Sequence, residues 1–183
     1  EEFNTIINFI TTIDLIFAKM NIARKYHYCK PLIITDSPKS FLNAKGLRHG
    51  LIENIQQDEL YVTNNIVLGS KCERNGENTV NQDGVLLYGT NAVGKTSFIR
   101  AVGIAIIMAQ SGLYVPCSSF IYSPYTCLFT RILGNDNLFK GLSTFAVEMS
   151  ELRTILRLAD ENSLVLGDEL CSGTESISAK SIF

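Results

Sequence analysis

The sequence contains no C-x-x-C pair, and its five cysteines, Cys29, Cys72, Cys117, Cys127 and Cys171, are scattered and odd in number. That argues against a disulfide framework or a zinc site. Free thiols of this kind point to a reducing, intracellular compartment, with cytoplasm, nucleus and organelle not distinguished. Basic charge is not in excess: 16 Lys and Arg face 18 Asp and Glu, for a formal net charge of -2. A sequence-blind grip on nucleic acid needs many cations on one face. Any DNA contact is therefore expected to be local or to lie elsewhere in a longer protein. The longest apolar run, 101–109, is far below the ~20 residues that cross a bilayer. No signal-peptide pattern opens the chain, so no membrane partner is expected. Histidine is also scarce, with only His27 and His49.

What is present suits one domain with a real core. The chain has 183 residues, of which 46% are apolar, a normal globular share. Residues 2–28 place Phe3, Ile6, Ile7, Ile10, Ile13, Ile16 and Met20 mostly three or four apart, which predicts one long amphipathic helix. Residues 29–31 end it. PLIITDSP reads as a short strand closed by Pro38. Extended pieces are expected within 47–70, and a surface loop over 71–84, KCERNGENTVNQDG. No internal repeat is visible.

The second half alternates more regularly. VLLYG (85–89) is read as a buried strand, 95–110 as a helix with Gly112 as C-cap, and CLFTRIL (127–133) as a strand. Residues 143–158 form a helix with Phe145, Met149, Leu152, Ile155 and Leu156 on one face. SLVLGD (163–168) is a buried strand, and SISAKSIF begins another helix. This alternation predicts an α/β domain with a mostly parallel sheet covered on both faces and an antiparallel portion beside it. Both ends look cut: Glu1 is already inside a helical pattern and Phe183 stops mid-pattern, so a fragment is expected.

Residues 89–96, Gly89-Thr90-Asn91-Ala92-Val93-Gly94-Lys95-Thr96, fit G-x-x-x-x-G-K-[ST]. The order has a physical basis. The glycines let the backbone curl with its N–H groups inward, and the following helix N-terminus adds partial positive charge. Lys95 is placed to reach the β- and γ-phosphates of ATP, and the Thr96 hydroxyl to ligate Mg²⁺. The bland alternative is a glycine-containing surface turn. Downstream, Asp168 and Glu169 follow an apolar strand, where the ligand crevice of an α/β sheet lies. Asp168 is the candidate to hold Mg²⁺ through water, and Glu169 the candidate general base for the attacking water. Their alternative is a solvated strand end. An Asp-Glu pair favours an ABC-type ATPase over a kinase or GTPase.

These blocks together resemble the ATPase domain of MutS, the DNA mismatch-recognition family. GTNAVGKTS is similar to G-P-N-M-G-G-K-S-T, IIMAQSGLYVPCSS to the family's apolar helix and A-Q-x-G-x-[FY]-V-P-A, and FTRILGNDNL to F-T-R-I-G-A-x-D-[DN]-L. STFAVEMSE resembles S-T-F-M-V-E-M-x-E, and LVLGDELCSGT resembles L-V-L-L-D-E-x-G-R-G-T. Upstream, GLRHGLIE is similar to G-R-H-P-[LV]-[IV]-E, and ELYVTNNI to x-x-F-[IV]-x-N-[DN]-[IV]. The resemblance covers nearly the whole chain and is densest over 84–174.

The resemblance implies a P-loop NTPase fold of ABC type. Residues 1–30 would be the end of a lever helix and connector, and 31–183 a MutS-type ATPase domain incomplete at its C-terminus. It implies ATP bound by Gly89 to Ser97, that is Gly89, Thr90, Asn91, Ala92, Val93, Gly94, Lys95, Thr96 and Ser97, with Glu169, Lys95 and Asn91 catalytic and Thr96 and Asp168 at Mg²⁺. Tyr61 becomes the candidate to stack on adenine, against the alternative of a half-buried core tyrosine. Ser143 becomes a contact to the γ-phosphate held by a second subunit, against the alternative of a plain helix cap. Expected partners are a second ATPase subunit, identical or paralogous, and double-stranded DNA held by other domains. Hydrolysis is expected to be weak in the fragment, because the family's later histidine-bearing strand would lie beyond Phe183.

Departures from the family pattern are Thr90, Val93, Gly167, Cys171-Ser172 and Glu175, which point to a divergent branch. The lost loop arginine puts that loop's subunit contact in doubt. Two further functions stay open: recognition of branched or recombination DNA, and a transporter-type or chromosome-associated ABC ATPase. The second would carry a signature like L-S-G-G-Q, where this chain has STFAVEM.

Overall fold

A computed structural model describes residues 2–55, 60–69, 71–73, 79–90, 93–132 and 144–168. Four helices are described: α1 (Glu2–Tyr26), α2 (Ile52–Ile55), α3 (Lys95–Gln110) and α4 (Thr144–Leu158). Eight strands accompany them: β1 (Leu32–Ile33), β2 (Phe41–Leu47), β3 (Asn64–Leu68), β4 (Lys71–Glu73), β5 (Thr79–Asn81), β6 (Ser119–Ser123), β7 (Cys127–Arg131) and β8 (Ser163–Gly167).

The strands form a mixed α/β arrangement of small sheets. The largest has the order β1-β6-β2-β3, with β2 antiparallel to both β3 and β6 and only β1 parallel to β6. β4 and β5 form a hairpin, and β7 and β8 a parallel pair in the register Cys127 to Ser163 through Arg131 to Gly167. The expectation of a mostly parallel sheet is thus corrected: among the described residues parallel pairing joins β1 to β6 and β7 to β8, and the larger sheet is mainly antiparallel.

The core lies between α3 and these strands. Ala101, Ala105 and Ala109 follow one another at four-residue spacing, with Val102 and Ile106 beside them, so one face of α3 is buried. The small alanines let the helix approach Leu42, Ala44, Phe120 and Tyr122 of the large sheet and Leu164 and Leu166 of β8 within one cluster. At its far end α3 closes as expected. Gly112 has φ 72, the Gly112 N–H bonds Ala109 O at 3.0 Å, and the Leu113 N–H bonds Met108 O at 2.9 Å. That double closure satisfies the last carbonyls and needs a residue tolerant of positive φ.

Several local expectations change. VLLYG forms no strand: residues 82–90 carry no regular structure, and Leu86 and Tyr88 are 82% and 91% exposed. A buried-type strand exists only where ladders flank it, and among the described residues β7 and β8 pair only with each other. A cavity of about 890 Å³ separates the 83–87 segment from α3, α4 and β8, with Phe98, Val102, Leu152, Ile155 and Leu166 on its walls. The expectation of extended pieces within 47–70 gives way at Ile52–Ile55 to the single turn of α2, and the loop reading of 71–84 is interrupted by the antiparallel pair β4–β5. The proline-bounded strand shrinks to two exposed residues. β2 begins before the region where extended pieces were expected, and β6 was not foreseen.

α1 is a helix of 25 residues, as expected. Its apolar residues do not keep to one face: Phe9, Leu15, Phe17 and Ile22 are exposed along with Phe3, Ile6 and Ile13. The stretch Phe3–Tyr26 has a window of mean hydropathy 1.5 and is 6% buried there, long and apolar enough by length and composition to cross a membrane. Polar residues, singly and in pairs such as Thr11-Thr12, interrupt the stretch, so it contains no long unbroken apolar run. A helix apolar all round also fits one enclosed by other protein.

Candidate nucleotide site

The site is built where residues 89–97 enter α3. Gly94 precedes the helix with φ 92 and ψ 16, and no side chain caps this end. The left-handed turn disfavours a residue with a Cβ, and nothing lies within 4 Å of where that Cβ would be. The Phe98 N–H bonds Gly94 O at 2.9 Å, which starts the helical ladder. The N–H groups of the first turn then lack helical acceptors, and the helix dipole puts partial positive charge there.

Lys95 folds back over the loop. Its Nζ donates to Gly89 O at 2.8 Å and Thr90 O at 2.7 Å. The ammonium is thus held at the loop's mouth by two carbonyls, both exposed to exchange with a ligand. Thr96 points the other way, and its hydroxyl donates to Asp168 Oδ2 at 2.6 Å. Asp168 gets there by strand pairing: β8 runs parallel to β7, and the Asp168 N–H bonds Arg131 O at 2.8 Å just past the last paired residues. α3 lies so close to β8 that a Cβ on Gly103 would meet Leu166 Cδ1 at 2.8 Å. Two sequence candidates 72 residues apart therefore share one hydrogen bond.

The donor set fits a hard cation. A hydroxyl and a carboxylate side by side are the oxygen ligands Mg²⁺ prefers, with water filling its remaining positions. A second cavity of about 440 Å³ opens beside the loop, with Asn64, Asn65, Gln82, Tyr88, Gly94 and Lys95 on its wall. Asn64, Asn65 and Gln82 were not singled out from sequence. Asn64 and Asn65 fall on the N-[DN] of the ELYVTNNI block, whereas Gln82 had no such sign. Lys95 borders both cavities.

Other candidates are not brought to this point. Tyr61 is half-buried and lines neither cavity; burial pushes its hydroxyl up, the His49 backbone draws it back, and the Glu53 charge raises it again. His49 is buried, its Nδ1 accepts from the Ile52 N–H at 3.3 Å, and burial pushes its imidazole below the usual value. That is the structural hydrogen-bonding role its surroundings favour. Val93 is exposed, and Ser97 lies in the first turn of α3. Asn91, Ala92, Ser143 and Glu169 lie outside the described residues.

Comparison with known proteins places this geometry in a family. The family described as MutS domain V matches residues 85–182, and the chain belongs to the MutS family, in its ATPase-region domain. It is 39% identical over 97% of its length to a putative DNA mismatch repair protein mutS homolog of Acanthamoeba polyphaga mimivirus, covering 18% of that protein. It is 40% identical over its full length to the mitochondrial DNA mismatch repair protein mutS homolog of Sarcophyton glaucum, covering 18% of it. It is 36% identical over its full length to DNA mismatch repair protein Msh6 of Gallus gallus, covering 14% of it. The chain thus spans less than a fifth of the length of these relatives.

Proposed function

We propose that this chain is the Mg-ATP-binding and ATP-hydrolysing part of a MutS-like DNA mismatch-recognition protein. The observation that carries the reading is the convergence of Lys95 on the 89–90 carbonyls and of Thr96 on Asp168, at the open N-terminus of α3. The names of the relatives supply the mismatch-repair context.

In this reading the first-turn N–H groups and Lys95 bind and orient the phosphates. The Lys95 ammonium exchanges its carbonyl partners for phosphate oxygens. Thr96 Oγ1 would hold Mg²⁺ directly and Asp168 through water, and the ion would supply charge neutralisation on the phosphates. Glu169, next to Asp168 in sequence, accepts a proton from the attacking water, and Asn91 orients the phosphate or water. Ser143 of a second subunit completes the site, so nucleotide state and dimerisation bias one another. Residues 1–30 act as connector to DNA-clamping domains, and 31–183 as the ATPase domain, a divergent branch of P-loop, ABC type.

The test is ATP turnover per subunit against protein concentration, with Glu169→Ala as control. A per-subunit rate that climbs with concentration and vanishes in the variant supports the reading. A rate independent of concentration yet dependent on Glu169 rejects the shared site. Absence of Mg-ATP binding in a titration rejects the nucleotide function itself.

A further inference from the structure

The end of α1 is gripped from outside the helix by one side chain. Arg48 Nη2 donates to the carbonyls of Tyr26 at 3.1 Å and His27 at 3.0 Å. His27 sits at φ 55, the left-handed conformation that terminates the helix, and the Tyr28 N–H closes back on Ala23 O at 2.9 Å. A cation at these carbonyls meets the negative end of the helix dipole. The same guanidinium lies 5.7 Å from the Tyr28 ring centroid and pairs through Nη1 with Glu53 Oε2 at 3.0 Å. Both partners are well covered, at 21% and 13% side-chain exposure, so this pair is shielded from the screening that weakens surface ion pairs.

Glu53 carries the connection onward. It belongs to α2, whose first turn hangs from His49 through the Glu53 N–H to His49 O bond at 3.0 Å. Arg48 itself directly follows β2, whose Leu47 pairs with Asn64 of β3 and whose Gly46 N–H donates to Asn65 Oδ1 at 2.8 Å. Tyr61 lies three residues before β3, whose Asn64 and Asn65 line the cavity beside Lys95. Beyond the helix end, the Cys29 and Val115 backbones exchange N–H to carbonyl bonds at 2.9 Å, so the segment leaving α1 is already tied to the core.

We propose that Arg48 is the positioning residue that couples the nucleotide side of the domain to the direction of α1, by joining the Tyr26 and His27 carbonyls to Glu53 and to the end of β2, which is hydrogen-bonded to Asn64 and Asn65 of β3. The inference rests on the ATP-binding reading above. Arg48 touches neither cavity, so it acts through its neighbours and its loss should leave nucleotide contacts in place. Lysine is a poor substitute, because a single ammonium lacks the planar fork that serves two carbonyls and a carboxylate together.

The experiment is amide hydrogen exchange of residues 20–30 in the full-length protein, with and without Mg-ATP, for wild type, Arg48→Ala, Arg48→Lys and Glu53→Gln. In wild type, Mg-ATP should change exchange at the end of α1 by about fivefold or more, the lower range of site-to-site coupling. Arg48→Ala should remove that response while keeping Mg-ATP affinity within about twofold, and Arg48→Lys should restore it only in part. A response that survives Arg48→Ala overturns the proposal. If that variant fails to fold, Glu53→Gln decides: a lost response supports the proposal, an intact one overturns it. A wild type that binds Mg-ATP with no change over 20–30 overturns this inference alone. A wild type that binds no Mg-ATP overturns the nucleotide reading and this inference with it.

Discussion

Removing the Thr96 hydroxyl tests whether the loop and the acidic strand form one unit. Thr96→Val keeps shape and deletes the donor to Asp168 Oδ2, a contact of 2.6 Å between two half-buried side chains. A hydrogen bond to a charged group contributes about 1.5–3 kcal/mol. Partial exposure of both partners argues for the lower part, about 1.5–2 kcal/mol, with some of the loss returned as water reaches the carboxylate. A chain of this size loses roughly 2–4 °C of Tm per kcal/mol, so a fall of roughly 3–8 °C is expected. Thr96→Ser keeps the donor and should stay within about 0.5 kcal/mol of wild type. The decisive assay is a double-mutant cycle with Asp168→Asn by urea unfolding, where a coupling of about 1–2 kcal/mol is expected. A coupling below about 0.3 kcal/mol would refute the contact. The same Thr96→Val variant should lose Mg²⁺-dependent stabilisation by ATP, which in a competent site reaches about 2.7 kcal/mol at a hundred times Kd.

Phe120 is 2% exposed between α3 and the large sheet, and Phe120→Ala should cost about 3–5 kcal/mol in denaturant unfolding. Asn162→Ala should cost about 1–3 kcal/mol, because the buried Ser40 N–H now bonds Asn162 Oδ1 at 3.0 Å and would lose its acceptor; a cost under about 0.5 kcal/mol would reject that role. Alkaline pH should unfold the protein through Cys117, whose thiol burial pushes from 9.0 up to about 12. The folded state resists ionisation that the unfolded chain permits, so this contribution is full below about pH 9 and is lost as pH rises towards about 12. Cys117→Ala should flatten the first part of that decline in a stability-against-pH series. Against a thiol reagent at neutral pH, exposed Cys127 should react first and buried Cys117 only on unfolding, which mass spectrometry of modified peptides would show.

The parts of the fold legible in the sequence are those fixed by short-range pattern. α3 announced itself through apolar spacing, the Gly94-Lys95-Thr96 start and the Gly112 stop, and all three hold. β7, β8 and α4 came from continuous apolar runs and a helical stripe of adequate length. The antiparallel sheet was harder. In FLNAKGL, Leu42, Ala44 and Leu47 are buried while Asn43 and Lys45 face outward, but Asn, Ala, Lys and Gly have weak strand preference and hide the alternation. SFIYS is masked by Pro116 upstream and by the polar Ser118-Ser119 at its start. VLLYG misled for the opposite reason: it reads as a buried strand, yet whether it becomes one depends on partners that no pattern inside it reports.

The same distinction separates the halves of the site. The proposed phosphate loop is a local device, with Gly89, Gly94, Lys95 and Thr96 inside eight residues, so its pattern is legible in the sequence. The proposed metal half is not local: Asp168 comes beside Thr96 only because β8 pairs in register with β7 and α3 lies against Leu166. Sequence could mark the carboxylate as a candidate, but the 2.6 Å contact with Thr96 is a product of packing. The same holds more strongly for the end of α1. The GLRHGLIE block sets Arg48 within a family pattern, but only the fold shows the carbonyls of Tyr26 and His27 ending beside it. A motif states which chemistry is intended, and tertiary contacts decide which distant element feels it. Substitutions at Lys95 and Thr96 should therefore be read out as nucleotide binding, and substitutions at Arg48 and Glu53 as the response of α1 with binding intact.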